Sequence, residues 1–147
     1  MVETLDNKPS TASWIIAGVL LAWNLIGLLF YYQQSTLTPD IMMDAGLTDQ
    51  QIAHITNTPA WAHAGYAFAV NAGVLGALLL LLRKTWAIPL FYISLAGALV
   101  QDLDAFVMRD AIEAWGTTAI ALPVIVILIC VFEIFYARSA KAKGWLS

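Results

Sequence analysis

The stretch Gly73-Val74-Leu75-Gly76-Ala77-Leu78-Leu79-Leu80-Leu81-Leu82-Arg83-Lys84-Thr85-Trp86-Ala87-Ile88-Pro89-Leu90-Phe91 joins two apolar runs through a turn holding two cations. No charged residue occurs from 50 to 82 before that turn, and none from 85 to 101 after it. Crossing a bilayer takes about 20 mostly apolar helical residues, so each side of the turn holds one span. So short a turn makes those two spans antiparallel neighbours. Two further charge-free intervals, 9 to 39 and 114 to 132, hold one span each. We therefore read four transmembrane helices, at about 13–33, 60–82, 86–107 and 117–137. They form an all-α, polytopic four-helix bundle, a single domain over 1–147, with an outer loop at 34–58. The first span is too long for a secretion signal, and no small-x-small site follows Tyr31-Tyr32-Gln33-Gln34, so it is expected to stay in the mature protein.

Composition agrees with that frame. The 147 residues are 61% hydrophobic and 12% charged, against roughly half and a quarter in soluble domains, which excludes a water-soluble globule. Seven Lys and Arg against ten Asp and Glu give a net charge of −3 with no basic run, so nucleic acid is not an expected partner. Cys130 is the single cysteine, which excludes an internal disulfide, a CxxC redox pair and a cysteine zinc cluster. In its apolar context it reads as a small hydrophobe.

Cytoplasmic segments collect Lys and Arg. Lys8, Arg83, Lys84, Arg138, Lys141 and Lys143 fall on one side if both termini are cytoplasmic, and only Arg109 falls on the other. Trp14, Trp86, Tyr136 and Trp145 fit the inner aromatic belt, and Tyr31, Tyr32, Trp61 and Trp115 the outer one. In the outer loop Thr38-Pro39 and Thr58-Pro59 each set a capping hydroxyl before a proline that can open a helix, and Thr48-x-x-Gln51 reads as a capping box. One or two short interfacial helices are expected there.

Polar groups inside hydrocarbon are costly, so they mark where function could lie. Asp102 lies about 24 Å along the third helix from Trp86, with Gln101 at the same depth. Asp104 is nearer the water and stands about 160° from Asp102 on an ideal wheel, so the two cannot form one carboxylate pair. Asp104 is read as reaching water or pairing with Arg109, and Asp102 either likewise or as a proton-coupling group beside Gln101. Asn24 sits mid-depth on the first helix, on a face that leads outward through Gly27, Leu28 and Tyr31. Asn71 is at mid-depth on the second. Each amide serves either as a hydrogen bond between helices or as a lining group for a solute. The candidate substrate-binding set is Asn24, Tyr31, Asn71, Gln101 and Asp102, and a protonatable His63 could complete a relay with Asp102.

The ladder Gly65, Ala69, Gly73 and Ala77 permits close helix approach, within the bundle or between subunits. Glu133, level with the Arg83-Lys84 turn and before Arg138, reads as an orientation-fixing ion pair. Pro123 is expected to kink the fourth helix. His54 and His63 are nine residues apart rather than four, and Met42-Met43 is only a pair, so no metal site is expected. With no P-loop, GxSxG, HExxH or dinucleotide turn, neither an enzyme nor a cofactor is expected.

Trp23-Asn24-Leu25-Ile26-Gly27, Pro59-Ala60-Trp61, the run from Gly73 to Gly97 with its Ser94-Leu95, and Lys143-Gly144-Trp145 are spread over most of the chain. In these motifs it resembles a family of small, functionally uncharacterised four-helix bacterial inner-membrane proteins, some carrying an automatic sugar-transporter label. The resemblance implies a bacterial inner membrane and this topology, and it assigns no functional residue. The expected function is a small-solute transporter, sugar-like or proton-coupled, acting as a homo-oligomer. The alternative is an accessory subunit packed on a membrane-protein partner.

Overall fold

The structure is a computed structural model and describes residues 8–147. Seven α-helices follow one another: α1 (Thr11–Thr36), α2 (Pro39–Asp44), α3 (Asp49–Thr56), α4 (Ala60–Leu81), α5 (Ala87–Asp102), α6 (Ala111–Trp115) and α7 (Ala121–Ala142). A π-helical stretch, Leu103–Met108, extends α5, and a 3₁₀ turn, Thr117–Ile120, leads into α7. Four helical segments are long and apolar enough to cross a membrane: Thr11–Thr36, Ala60–Leu81, Ala87–Met108 and Thr117–Ala142. They run alternately up and down. One end of the bundle, the terminal face, therefore holds the start of α1, the end of α7 and the 82–86 turn; the other, the loop face, holds α2, α3 and α6.

Local chemistry sets the boundaries. The Ser10 hydroxyl caps α1 by accepting from Ser13 N at 3.2 Å, and Thr38 caps α2 with Pro39 in its first turn. At α3 the Thr48 hydroxyl accepts from Gln51 N while the Gln51 side chain accepts from Thr48 N, a reciprocal capping box. Thr58 departs from expectation. Its hydroxyl donates back to Ile55 O at 2.8 Å and closes α3, leaving Pro59 to open α4 without a side-chain cap. Pro123 does not break a helix interior either, because it falls in the first turn of α7, where its missing N–H has no partner to lose.

The bundle is inside-out by water-soluble standards. Small residues line its interior, while Ile15, Val19, Leu29, Phe68, Leu122, Leu128 and Phe135 are each more than half exposed, which makes the outer surface of the bundle apolar. The Gly65 ladder is spent within the chain, where α4 meets α5. A Cβ on Gly65 would meet Val100 and the Gly97 carbonyl, and one on Gly97 would meet the Gly65 carbonyl and the backbone of Ala69. Near the terminal face Gly76 makes room for Phe91, the largest fully buried side chain. The other two long helices flank this pair, α1 on α4 and α7 on α5. Side-chain hydrogen bonds close the ring between α1 and α7, Asn24 to Glu133 and Ser13 to Tyr136.

The 82–86 turn puts Arg83 in the left-handed region, at φ 59°, which costs a residue with a Cβ roughly 1–2 kcal/mol. The chain's last residues offset that cost. Arg83 Nε donates to Trp145 O at 2.8 Å, and Ser147 N donates to Arg83 O, also at 2.8 Å. Gly144, at φ 74°, makes the reversal that brings Trp145 there.

Candidate functional site

All four long helices contribute to one polar cluster inside the apolar bundle. Ser94 lies seven residues, about 10 Å, into α5 from the terminal face, and Gly73 lies eight residues, about 12 Å, into α4. The Ser94 hydroxyl donates to Ala69 O of α4 at 2.7 Å. Asn24 of α1 donates to Leu20 O at 2.9 Å and to Glu133 Oε1 of α7 at 2.5 Å. Gly73 is what admits the amide: a Cβ there would collide with Asn24 Oδ1 and lie 3.2 Å from Ser94 Oγ. Glu133 is 1% exposed, and among the described residues it has no ion-pair partner.

That geometry corrects the reading of Glu133 as an ion pair at the inner surface. Buried residues on α7 are Cys130, Glu133, Ile134, Ala137 and Ala140, a helical stripe that turns Glu133 into the bundle. Of the cations near that end, Arg83 bonds Trp145 O, Arg138 bonds the Tyr92 hydroxyl at 3.3 Å, and Lys84 is exposed. The stripe of small residues around Glu133 is the signal in the sequence that locates it.

The five expected binding residues do not gather around one point. Asn24 is in the central cluster. Tyr31 is two turns nearer the loop face, where its hydroxyl is 3.2 Å from His63 Nε2 and its ring meets Tyr66 edge-on at 5.0 Å. Asn71 is exposed and donates to Ala67 O of its own helix at 2.8 Å, because its position on α4 faces away from both α1 and α5. Gln101 and Asp102 are half-buried near the loop end of α5. No hydrogen bond or ion pair joins Asp102 to His63 among the described residues, so the relay between them is not assembled.

At the loop face Asp104 is 1% exposed and pairs with Arg109, one of the two outcomes expected of it. Arg109 N bonds Asp104 O at 2.9 Å, the wider turn that defines the π stretch. Arg109 Nε donates to Asp104 Oδ2 at 2.7 Å, and Nη2 reaches the same oxygen. Nη1 donates to the His54 carbonyl of α3, which fastens that helix over the end of α5. His54 Nε2 lies 3.4 Å from Ala105 O. Burial first, and the Arg109 charge second, hold its imidazole below the ordinary value of 6.5, with Ala105 O and Asp104 opposing. A cleft of about 330 Å³ opens between α3 and α6, with Gln50, His54, Asn57, Arg109, Asp110 and Glu113 among its walls. Among the described residues no three His, Cys, Asp or Glu side chains converge as a metal site requires.

Comparison with family models, curated proteins and solved structures returned no match. The functional argument therefore rests on these side chains.

Proposed function

We propose that this chain is a multi-pass protein of a bacterial inner membrane, with both termini cytoplasmic, that couples proton exchange at Glu133 to the movement of a small polar solute as a homo-oligomer. The observation that carries the proposal is a carboxylate sealed among four apolar helices with an amide, and no cation, as its partner. An ionisable group at such a depth is retained at a cost, and proton relays are a principal use for it. Protonating Glu133 would convert an acceptor-only carboxylate into a group that also donates. The bond from Asn24, and with it the contact between α1 and α7, would then change its terms. Glu133 thus takes the coupling role expected of Asp102.

The orientation draws support from Arg109, the one basic residue at the loop face, which is spent on Asp104 inside the protein. The other six cations flank the terminal face, as cytoplasmic cations do. A second reading, an accessory subunit held to a larger membrane protein, is favoured by the mutual satisfaction of the buried polar side chains, none of which lacks a hydrogen bond among the described residues. Polar groups that serve only as packing glue would look the same.

Electrical recording from proteoliposomes on a solid support separates the two. A panel of sugars, amino acids and amines applied under a pH gradient should include one that evokes a current in the wild type, and Glu133→Gln should abolish that current. A current that survives the substitution removes Glu133 from coupling, and silence across the panel favours the accessory reading.

A further inference from the structure

We propose that the narrow cleft at the terminal face, between α1, the 82–86 turn and the C-terminal tail, seats the phosphate of an anionic phospholipid. The proposal rests on the membrane reading above. The cleft has two kinds of wall. Trp14, Ala17 and Leu80 make its apolar side, and Trp14, 43% exposed, leaves it open to the lateral surface that faces lipid. Ser13, Tyr136 and Arg83 are its polar lining, with the two hydroxyls bonded to each other at 2.5 Å. An amphiphile lying across the bilayer boundary has the matching division, with acyl chain on one side and phosphate on the other.

Arg83 is held ready for such a ligand. Its Nε is tied to Trp145 O at 2.8 Å, which fixes the plane of the guanidinium, while its two Nη groups have no hydrogen bond among the described residues. A planar fork with free donors is the usual partner of a phosphate. A second cation is close at hand, because Lys143 Nζ lies 4.6 Å from the centroid of the Trp145 ring, another wall of the cleft. Lys84, Arg138 and Lys141 add positive charge at the same face, where the described residues place no exposed Asp or Glu side chain; Glu3 and Asp6 lie outside the described residues. Basic pockets between membrane helices on the cytoplasmic side are where anionic headgroups bind.

The cleft's size selects a lipid over a free solute. Its enclosed space is about 20 Å³, room for roughly one water-sized group, whereas a pocket for a whole small molecule takes about 300 Å³ or more. A lipid phosphate needs to insert only one or two oxygens, since its chains remain in the hydrocarbon.

Native mass spectrometry of the purified full chain, titrated with phosphatidylglycerol or phosphatidylcholine, tests the inference. One equivalent of phosphatidylglycerol should be retained at least tenfold more tightly than phosphatidylcholine. Arg83→Gln should erase the preference, and Lys84→Gln, one residue away and exposed, should keep it. Equal retention of the two lipids, or equal losses in the two variants, would overturn the seat in favour of diffuse surface charge. Displacement by an equal concentration of soluble glycerophosphate would overturn the lipid as its occupant.

Because Arg83→Gln also frees the C-terminal tail, a photoactivatable phosphatidylglycerol on the unmodified protein gives an independent reading. Labelling concentrated on the Trp14 and Trp145 peptides supports the seat, and labelling spread over the basic surface contradicts it. A chain that alkaline carbonate strips from membranes would instead refute the membrane reading itself.

Discussion

Glu133 and Asp104 are equally sealed, each at 1% exposure, yet their partners differ in kind. Asp104 faces a guanidinium that grips it through two nitrogens and reaches on to the His54 carbonyl. Among the described residues Glu133 has the amide of Asn24 as its hydrogen-bond partner and no cation. A buried carboxylate with its own cation is compensated, and through Arg109 Asp104 works as a structural clamp between α3 and the end of α5. A buried carboxylate with a neutral donor is stable only as long as its protonation state and its neighbours agree. The same burial therefore yields a lock at one end of the bundle and, at its centre, the group we propose to be responsive.

The comparison breaks most visibly if the lock is opened. Arg109→Leu leaves Asp104 buried and uncompensated, a change that costs about 3–5 kcal/mol, measurable as a shift in reversible unfolding in mixed micelles. Glu133→Gln keeps an oxygen to accept from Asn24 and should cost less than about 1 kcal/mol, near the value of one ordinary hydrogen bond. If the two variants cost the same, the two carboxylates are not different in kind.

Packing sharpens the contrast between the α4–α5 seam and the outer faces. A Cβ on Gly97 would lie 2.8 Å from Ala69 N and closer still to the Gly65 carbonyl, backbone that cannot swing aside. Gly97→Ala should therefore destabilise by about 1–3 kcal/mol, as overpacking does. Gly18, with nothing within 4 Å, should accept alanine neutrally or gain up to about 1 kcal/mol from helix propensity. Thermal unfolding of both variants in one detergent decides this; a seam that tolerates Gly97→Ala is looser than described.

The smallest effect is expected at His54. The folded chain disfavours its charged form, so the unfolded chain binds more protons as pH falls below about 6.5. Stability contributed by the neutral imidazole is present above that pH and is lost as pH falls through the lower value of the folded state. Protection factors of the α3 amides, taken relative to the intrinsic exchange rate at each pH, should fall over that interval, and His54→Gln should remove the dependence. Protection that rises on acidification would reverse the sign argued here.

The span positions are legible in the sequence because an apolar, charge-free run of helical length has little use outside a bilayer. The capping box at Thr48 is equally plain, since its chemistry is local. Glu133 is harder to place because depth along a helix says nothing of direction, and only the wheel through Cys130, Ile134 and Ala137 points it inward. The pairing of Asp104 with Arg109 is legible as one of two readings, but no residue in Leu103–Met108 announces the π stretch that sets their spacing. The dispersal of Tyr31, Asn71 and Asp102 follows from helix order around the bundle, which four apolar sequences do not encode in any short pattern.

The most direct test of the central claim is pH-difference infrared spectroscopy of the wild-type chain and Glu133→Gln in lipid bilayers. A carboxylic C=O band that changes with pH in the wild type, shifts when Asn24 is replaced by alanine, and is missing from Glu133→Gln is the predicted result. An identical set of pH-dependent bands in wild type and Glu133→Gln would show that this carboxylate exchanges no proton, and the account would fail at its centre.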